Sequence, residues 1–356
     1  MYAVREPQGG REKMSDPGAS QTVFDQASGW VERINNEYFN SWASFELIRA
    51  LFEAASVSGE TRFAEQAGRH LGRIQNPYFR ILAACESAKC SIASGKRKGL
   101  KGLVSSLEKD ATTLEKEHSR ASALCECAEV RELLGDFSGS ERNLQEARRI
   151  SDGIDNPFFR SWAWSGLVRS AARSAHATGR PKLLDTYRPL LSKLEDKYLE
   201  AWTYAEVACA LFRLGDGRGA QSCLQSAWRT AKEVRDPINA SFAMAETAQA
   251  AVVLGERALA ERALAETSAL IAQCRSDHQK SLVLSSCARI MASLGDVAGA
   301  KRRIQDAIDA AQLVSYDYFK SWALSGVVRA LAFVGLVQLG KGVSPANPRL
   351  VRTAQG

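Results

Sequence analysis

The chain has 356 residues, 45% hydrophobic and 24% charged, with 47 basic and 40 acidic side chains. Its 9 prolines and 26 glycines exclude a collagen-like or Pro/Gly-rich disordered polymer. No apolar run is long enough for a transmembrane span, so no membrane partner is expected. The formal charge of +7 serves solubility and permits, without requiring, an acidic or nucleic-acid partner.

Residues 1–22 are polar and lack the apolar core of a secretory signal, so they are expected to be a flexible segment. The eight cysteines then read as reduced thiols in a cytoplasmic protein. No CxxC pair occurs, and Cys125 and Cys127 come nearest, so no metal or other cofactor is expected.

From residue 23 onward the chain repeats. Similar segments begin at Asn36, Asn76, Lys116, Asn156, Asp196, Asp236, Ser276 and Tyr316, every step being 40 residues. Each unit reads as two helices. The first opens on a capping side chain, followed by proline in Asn76-Pro77, Asn156-Pro157 and Asp236-Pro237. It runs to a glycine column, Gly95, Gly135, Gly215, Gly255, Gly295 and Gly335, that predicts helix C-caps. Units one and four carry their glycine four residues later, at Gly59 and Gly179, which predicts an extra turn. The second helix follows G-D-x-x-x-A-x-x-x-L-x-x-A, as in Gly215, Ala220, Leu224 and Ala227, one apolar face of a helix. The stretch ending at Ile34 is a second helix without its first. The last unit is a first helix without its second.

The spacing Gly, Ala, large apolar, Ala in the second helix resembles the tetratricopeptide repeat over roughly residues 23–335. The period of 40 and the missing Trp-Leu-Gly-Tyr signature depart from that family. The resemblance implies an all-α, right-handed solenoid of stacked antiparallel hairpins. It comprises seven full units plus terminal half units in one domain, residues 23–340, with a flexible tail at 341–356. It also implies a non-enzymatic scaffold that binds a peptide or protein, an acidic one included, along a concave groove lined by first helices.

Counting from the Tyr38 column as zero, positions 4, 8 and 11 share one stripe of the first helix. Position 4 holds Trp42, Trp162, Trp202 and Trp322, and position 11 holds Arg49, Arg169, Arg289 and Arg329. These eight residues are the candidate binding set, because Trp and Arg dominate many interfaces and arginine grips carboxylates. Two other readings stand beside it. The tryptophans can pack between repeats, and the glutamates at position 8 can form i,i+3 pairs such as Glu46–Arg49 on a solvated face. Gly166 and Gly326 replace that glutamate, which leaves Arg169 and Arg329 without a local acidic partner.

No HExxH, GxSxG, Walker A or GxGxxG segment occurs, so no catalytic residues are assigned. The basic column at position 2 and the cluster Lys96, Arg97, Lys98 and Lys101 keep RNA binding open as an alternative. Val327, Val328, Leu331, Phe333 and Val334 of the last helix have no second helix to cover them. That predicts a homodimer through this end, or the C-terminal tail folding back over it.

Overall fold

The computed structural model describes residues 17–340. Among the described residues there are sixteen α-helices and two short 3-10 segments. The first helices of the units are α2 (Glu37–Ser58), α4 (Pro77–Ala93), α6 (Glu117–Leu133), α8 (Pro157–Thr178), α10 (Lys197–Arg213), α12 (Pro237–Val253), α14 (Asp277–Ser293) and α16 (Asp317–Gln338). The second helices are α3 (Thr61–Leu71), α5 (Leu100–Thr112), α7 (Phe137–Asp152), α9 (Pro181–Tyr187), α11 (Gly217–Glu233), α13 (Arg257–Leu270) and α15 (Val297–Leu313). A further helix, α1 (Pro17–Val31), precedes them all.

Local chemistry explains the helix ends. The side chains of Asn36, Asn76, Asn156, Asp196 and Asp236 accept backbone N–H groups at the start of their helices, replacing bonds the first turn cannot make internally. The connection out of each first helix passes through a glycine at positive φ, such as Gly95 and Gly215. Gly335 departs from that column. It lies inside α16, which continues a further turn, and the positive φ falls at Gly340.

The array closes on itself. Each first helix packs on the first helix of the next unit, and α16 packs on α2 as α14 packs on α16. The eight first helices therefore form an inner ring, and the second helices an outer one. Helix α1 packs on α16 and occupies the place of its missing second helix. The two half units are one unit, split between the ends of the chain.

Hydrogen bonding shows that this seam repeats an ordinary junction. Ser41 Oγ accepts the backbone N–H of Asn76, 35 residues on. Ser321 Oγ accepts the N–H of Asn36, a separation of 285 residues, which is 35 short of the 320 in eight units. Ser161 likewise accepts from Glu195. The serine of each Ser-Trp pair thus anchors the start of the following unit.

The apolar face of α16 is buried by this closure. Val327, Val328 and Val334 are fully buried and Leu331 nearly so, in a cluster shared with Val23, Phe24, Ala27 and Phe63. Helix α1 covers the face, and the face on which a homodimer was expected is not exposed; the tail expected to fold back over it lies outside the described residues. An added methyl at Gly335 would lie 2.8 Å from the Phe24 ring, so the helices approach as closely as glycine allows. Helix α1 also binds α3 through a polar network. Gln66 Nε2 donates to Ser28 Oγ at 2.9 Å, and Ser28 Oγ and His70 Nε2 are 2.8 Å apart.

Two further expectations change. Helix begins at Pro17, so residues 17–22 are structured, and the rest of the predicted flexible segment, with the 341–356 tail, lies outside the described residues. Helix α16 has an 18-residue window of mean hydropathy 1.4, apolar enough for a membrane span by composition. Two-thirds of that window is buried within the ring, and the helix carries Arg329.

Truncating Phe24 tests the closure. Removing so large and fully buried a side chain costs about 3–5 kcal/mol. If α1 holds the ring, Phe24→Ala will also expand the molecule in small-angle scattering. An unfolding midpoint and radius of gyration equal to the wild type would count against the seam.

Candidate functional site

Eight parallel inner helices put equal repeat positions at equal heights, so each sequence column becomes a tier of the ring interior. The starting ends of the helices form an aromatic floor. Phe39 stacks on Trp322 across the seam, with ring centroids 6.2 Å apart. Tyr198 contacts both Trp202 and Phe242. Ile238, Phe242 and Leu282 form a buried cluster on which Tyr198 and Trp322 both pack, so residues of the fifth and eighth units meet there. His118 stacks on Phe159 and His278 on Phe319, at 4.3 and 4.4 Å, which makes both histidines packing groups of this floor.

Above the floor lies a cavity of about 260 Å³. Its wall runs from Trp202, low on α10, to Leu336 and Leu339 beyond the middle of α16. The mouth therefore lies where the inner helices end. Position 8 contributes Glu46, Glu86, Glu126, Glu206 and Glu246, and position 11 contributes Arg49, Lys89, Glu129, Gln249, Arg289 and Arg329.

One side of the wall, on α4, α6, α8 and α10, is a closed ionic network. Lys89 Nζ donates to Glu86 at 3.0 Å and to Glu126 and Glu129 at 2.7 Å each. Arg173 donates to Glu129, to Glu126 at 2.9 Å and to Glu206 at 3.1 Å. Arg169 lies 3.6 Å from Glu206 and 3.6 Å above the Trp202 ring centroid. Burial pushes the Glu126 carboxyl up, but Lys89 and Arg173 outweigh it and hold the group down at about 2. At Glu129 burial wins, and with the Glu126 charge it raises the carboxyl above its ordinary value despite Arg173.

The other side, on α12, α14, α16 and α2, sets Arg49, Arg289 and Arg329 against only Glu46 and Glu246 at positions 8 and 11. Arg289 and Arg329 both donate through Nη2 to a single oxygen, Glu246 Oε1, at 2.8 and 2.7 Å. Glu46 accepts from Arg49 at 2.7 Å and lies 3.9 Å from Arg329. Burial pushes the Glu246 carboxyl up, and Arg289 and Arg329 more than offset it, leaving it at about 2. Glu53, a turn nearer the mouth, faces the charge of Arg213 on α10.

Of the predicted binding set, Arg49, Trp202, Arg289 and Arg329 line this cavity. Arg169 reaches it through Trp202 and Glu206. Trp42, Trp162 and Trp322 are half-buried in the aromatic floor beneath. The ion pairs of Arg169 and Arg329 are not local ones, because Glu206, Glu246 and Glu46 arrive from other units. Gly326 still has a role, since a methyl there would meet Leu282 at 2.7 Å. The pairs Glu46–Arg49 and Glu86–Lys89 do form, on the cavity wall; Glu86–Lys89 is largely buried there, whereas the Arg49 side chain stays exposed. Sequence reasoning missed Arg173 and the position-8 glutamates as parts of one network. Their shared stripe with the candidate arginines was the available signal.

No family model matches this sequence, and neither does any curated protein. Among solved structures, similarity is found to Ton1535 from Thermococcus onnurineus NA1, at 12% identity and a TM-score of 0.37, over 78% of this chain and 98% of that one. A Rap protein complexed with Competence and Sporulation Factor matches at 15% identity and a TM-score of 0.32, over 86% of this chain and 96% of that one.

Removing Arg173 leaves Lys89 alone to serve Glu126 and Glu129, and Arg169 alone beside Glu206, and breaking a buried ion pair costs up to about 3–5 kcal/mol. Arg173→Met will show that loss in chemical denaturation at neutral pH, and the deficit will shrink as pH falls and Glu129 takes up a proton. In the wild type the sign for Glu126 and Glu246 is opposite. Both are held near 2 against an ordinary 4.5, so their contribution is complete above pH about 4.5 and disappears as pH falls through about 2. A flat stability profile from pH 5 to 2 would contradict the network.

Proposed function

We propose that the ring is a non-enzymatic binding module of the cytoplasm that takes the end of a peptide or of a protein partner into its central cavity. The supporting observation is the cavity itself. It lies above an aromatic floor and has charged walls held by inter-unit ion pairs. Closure turns what would be an open concave groove into a lumen, so entry is end-on and not lengthwise. A chain terminus suits that geometry better than a folded surface or a continuous strand.

Several features favour this reading over RNA capture. Phosphate tracking needs a run of free cations, and the lumen cations are mostly engaged by glutamate. The basic column on the outside is partly paired as well, Arg160 with Glu195 and Arg120 with Glu117. The loop cations Lys96, Arg97, Lys98 and Lys101 are exposed and lie outside the cavity wall.

A random-peptide display selection tests the proposal, with free amino and free carboxyl termini presented in separate libraries. Selected peptides should bind the wild type and lose affinity for Ala93→Trp, which puts a large ring at the mouth. Arg257→Ala, on the outer ring, should bind as the wild type does. Peptides that bind Ala93→Trp unchanged, or selection of nucleic acid in place of peptide, would overturn it.

A further inference from the structure

We propose that Gln249, Arg289 and Arg329 form a subsite for an anionic group, a carboxylate or a phosphate, on whatever enters the lumen. The inference rests on the lumen being the binding site and assigns the chemistry of one part of it. The three residues occupy position 11 in units six, seven and eight, and Arg49 continues the column across the seam in unit one. In parallel helices that column is an arc at one height. The arc reads Gln, Arg, Arg, Arg.

Three observations mark the arc as lacking an acceptor. First, two guanidiniums share one carboxylate oxygen, Glu246 Oε1. Burial and the like charge of Arg329 act together on Arg289. Secondly, N–H groups on this wall are buried without a hydrogen bond: Nε and Nη1 of Arg289, Nε2 of Gln249, and Nε of Arg329, whose nearest carboxylate is Glu46 at 3.9 Å. Arg289 is only 5% exposed. Buried donors are ordinarily paired, and several orphans on three adjacent residues of one cavity wall indicate a missing oxygen ligand. Thirdly, three arginines face two glutamates at this level, while the opposite wall satisfies its carboxylates with Lys89, Arg169 and Arg173. An added anion would be neutralised on this side and repelled on the other. The Phe333 ring lies 5.7 Å from the Arg289 guanidinium and the Phe242 ring 5.9 Å from that of Arg329.

The test uses the full chain at low ionic strength, titrated with succinate and, separately, with inorganic phosphate, against a chloride control. Thermal stabilisation and calorimetry are the readouts. At least one probe should raise the melting temperature of the wild type, and the probe that does so distinguishes carboxylate from phosphate. Gln249→Leu should fold at least as stably as the wild type, because it deletes an unpaired buried donor. It should nevertheless bind the probe about tenfold more weakly, as loss of a hydrogen bond to a charged group predicts. Ala93→Trp should block the probe. If neither anion stabilises the wild type, or if Gln249→Leu binds as well as the wild type, the subsite is wrong. A probe blocked by Ala93→Trp but indifferent to Gln249→Leu would overturn the subsite alone and leave the lumen reading standing. A probe indifferent to both would remove the lumen reading as well.

Discussion

The packing of α1 against α16 is the contact on which the rest of the architecture depends. A helical hairpin cannot bury both of its apolar faces alone, so a repeat array is stabilised by contacts between neighbours and needs caps at its ends. Here the two ends cap each other. Phe24 fills the space beside Gly335, and Ser321 holds the backbone of Asn36 as Ser41 holds that of Asn76. Without this contact the inner helices would line an open groove, and Arg329 could not reach both Glu46 and Glu246.

Closure also explains the chemistry of the interior. Charges crowded into a narrow lumen lose solvent on every side, so each must be neutralised by its neighbours. The network does this between units, with Lys89 and Arg173 each serving three carboxylates. Glu246, Arg289 and Arg329 are largely buried there, and this makes the imbalance at Glu246 more consequential than it would be on a surface.

Much of the fold was legible before any coordinates. The caps at Asn76, Asn156 and Asp236, the glycines and the stripes of alanine and leucine are local signals, and local physics produces the helices they announce. The half units at the two ends were also visible, as was the apolar face of Val327, Leu331 and Val334. That these belong to one unit was not legible, because the rotation from one hairpin to the next is set by packing depth and leaves no periodic mark. The site was half legible for the same reason. The column holding Arg49, Arg289 and Arg329 could be read from helical spacing. Arg49 pairs with Glu46 as local spacing gives, but the Glu246 that serves Arg289 and Arg329 lies 43 and 83 residues from them, and only ring geometry brings it to Arg329. Trp42, Trp162 and Trp322 carried the right face but the wrong depth.

A closed ring has different tolerances from an open array. An open solenoid can gain or lose a repeat and merely change length. Eight units that return to their start each turn the path by about 45° on average, and a ninth or a seventh would leave the ends misaligned. Unit number is therefore under geometric constraint, as strand number is in a β-barrel. The position of the chain ends is not under the same constraint. Since the seam at Ser321 and Asn36 is built like the junctions at Ser41 and Ser161, the termini could be moved to another inter-unit connection, and the molecule would remain the same object with a different starting point.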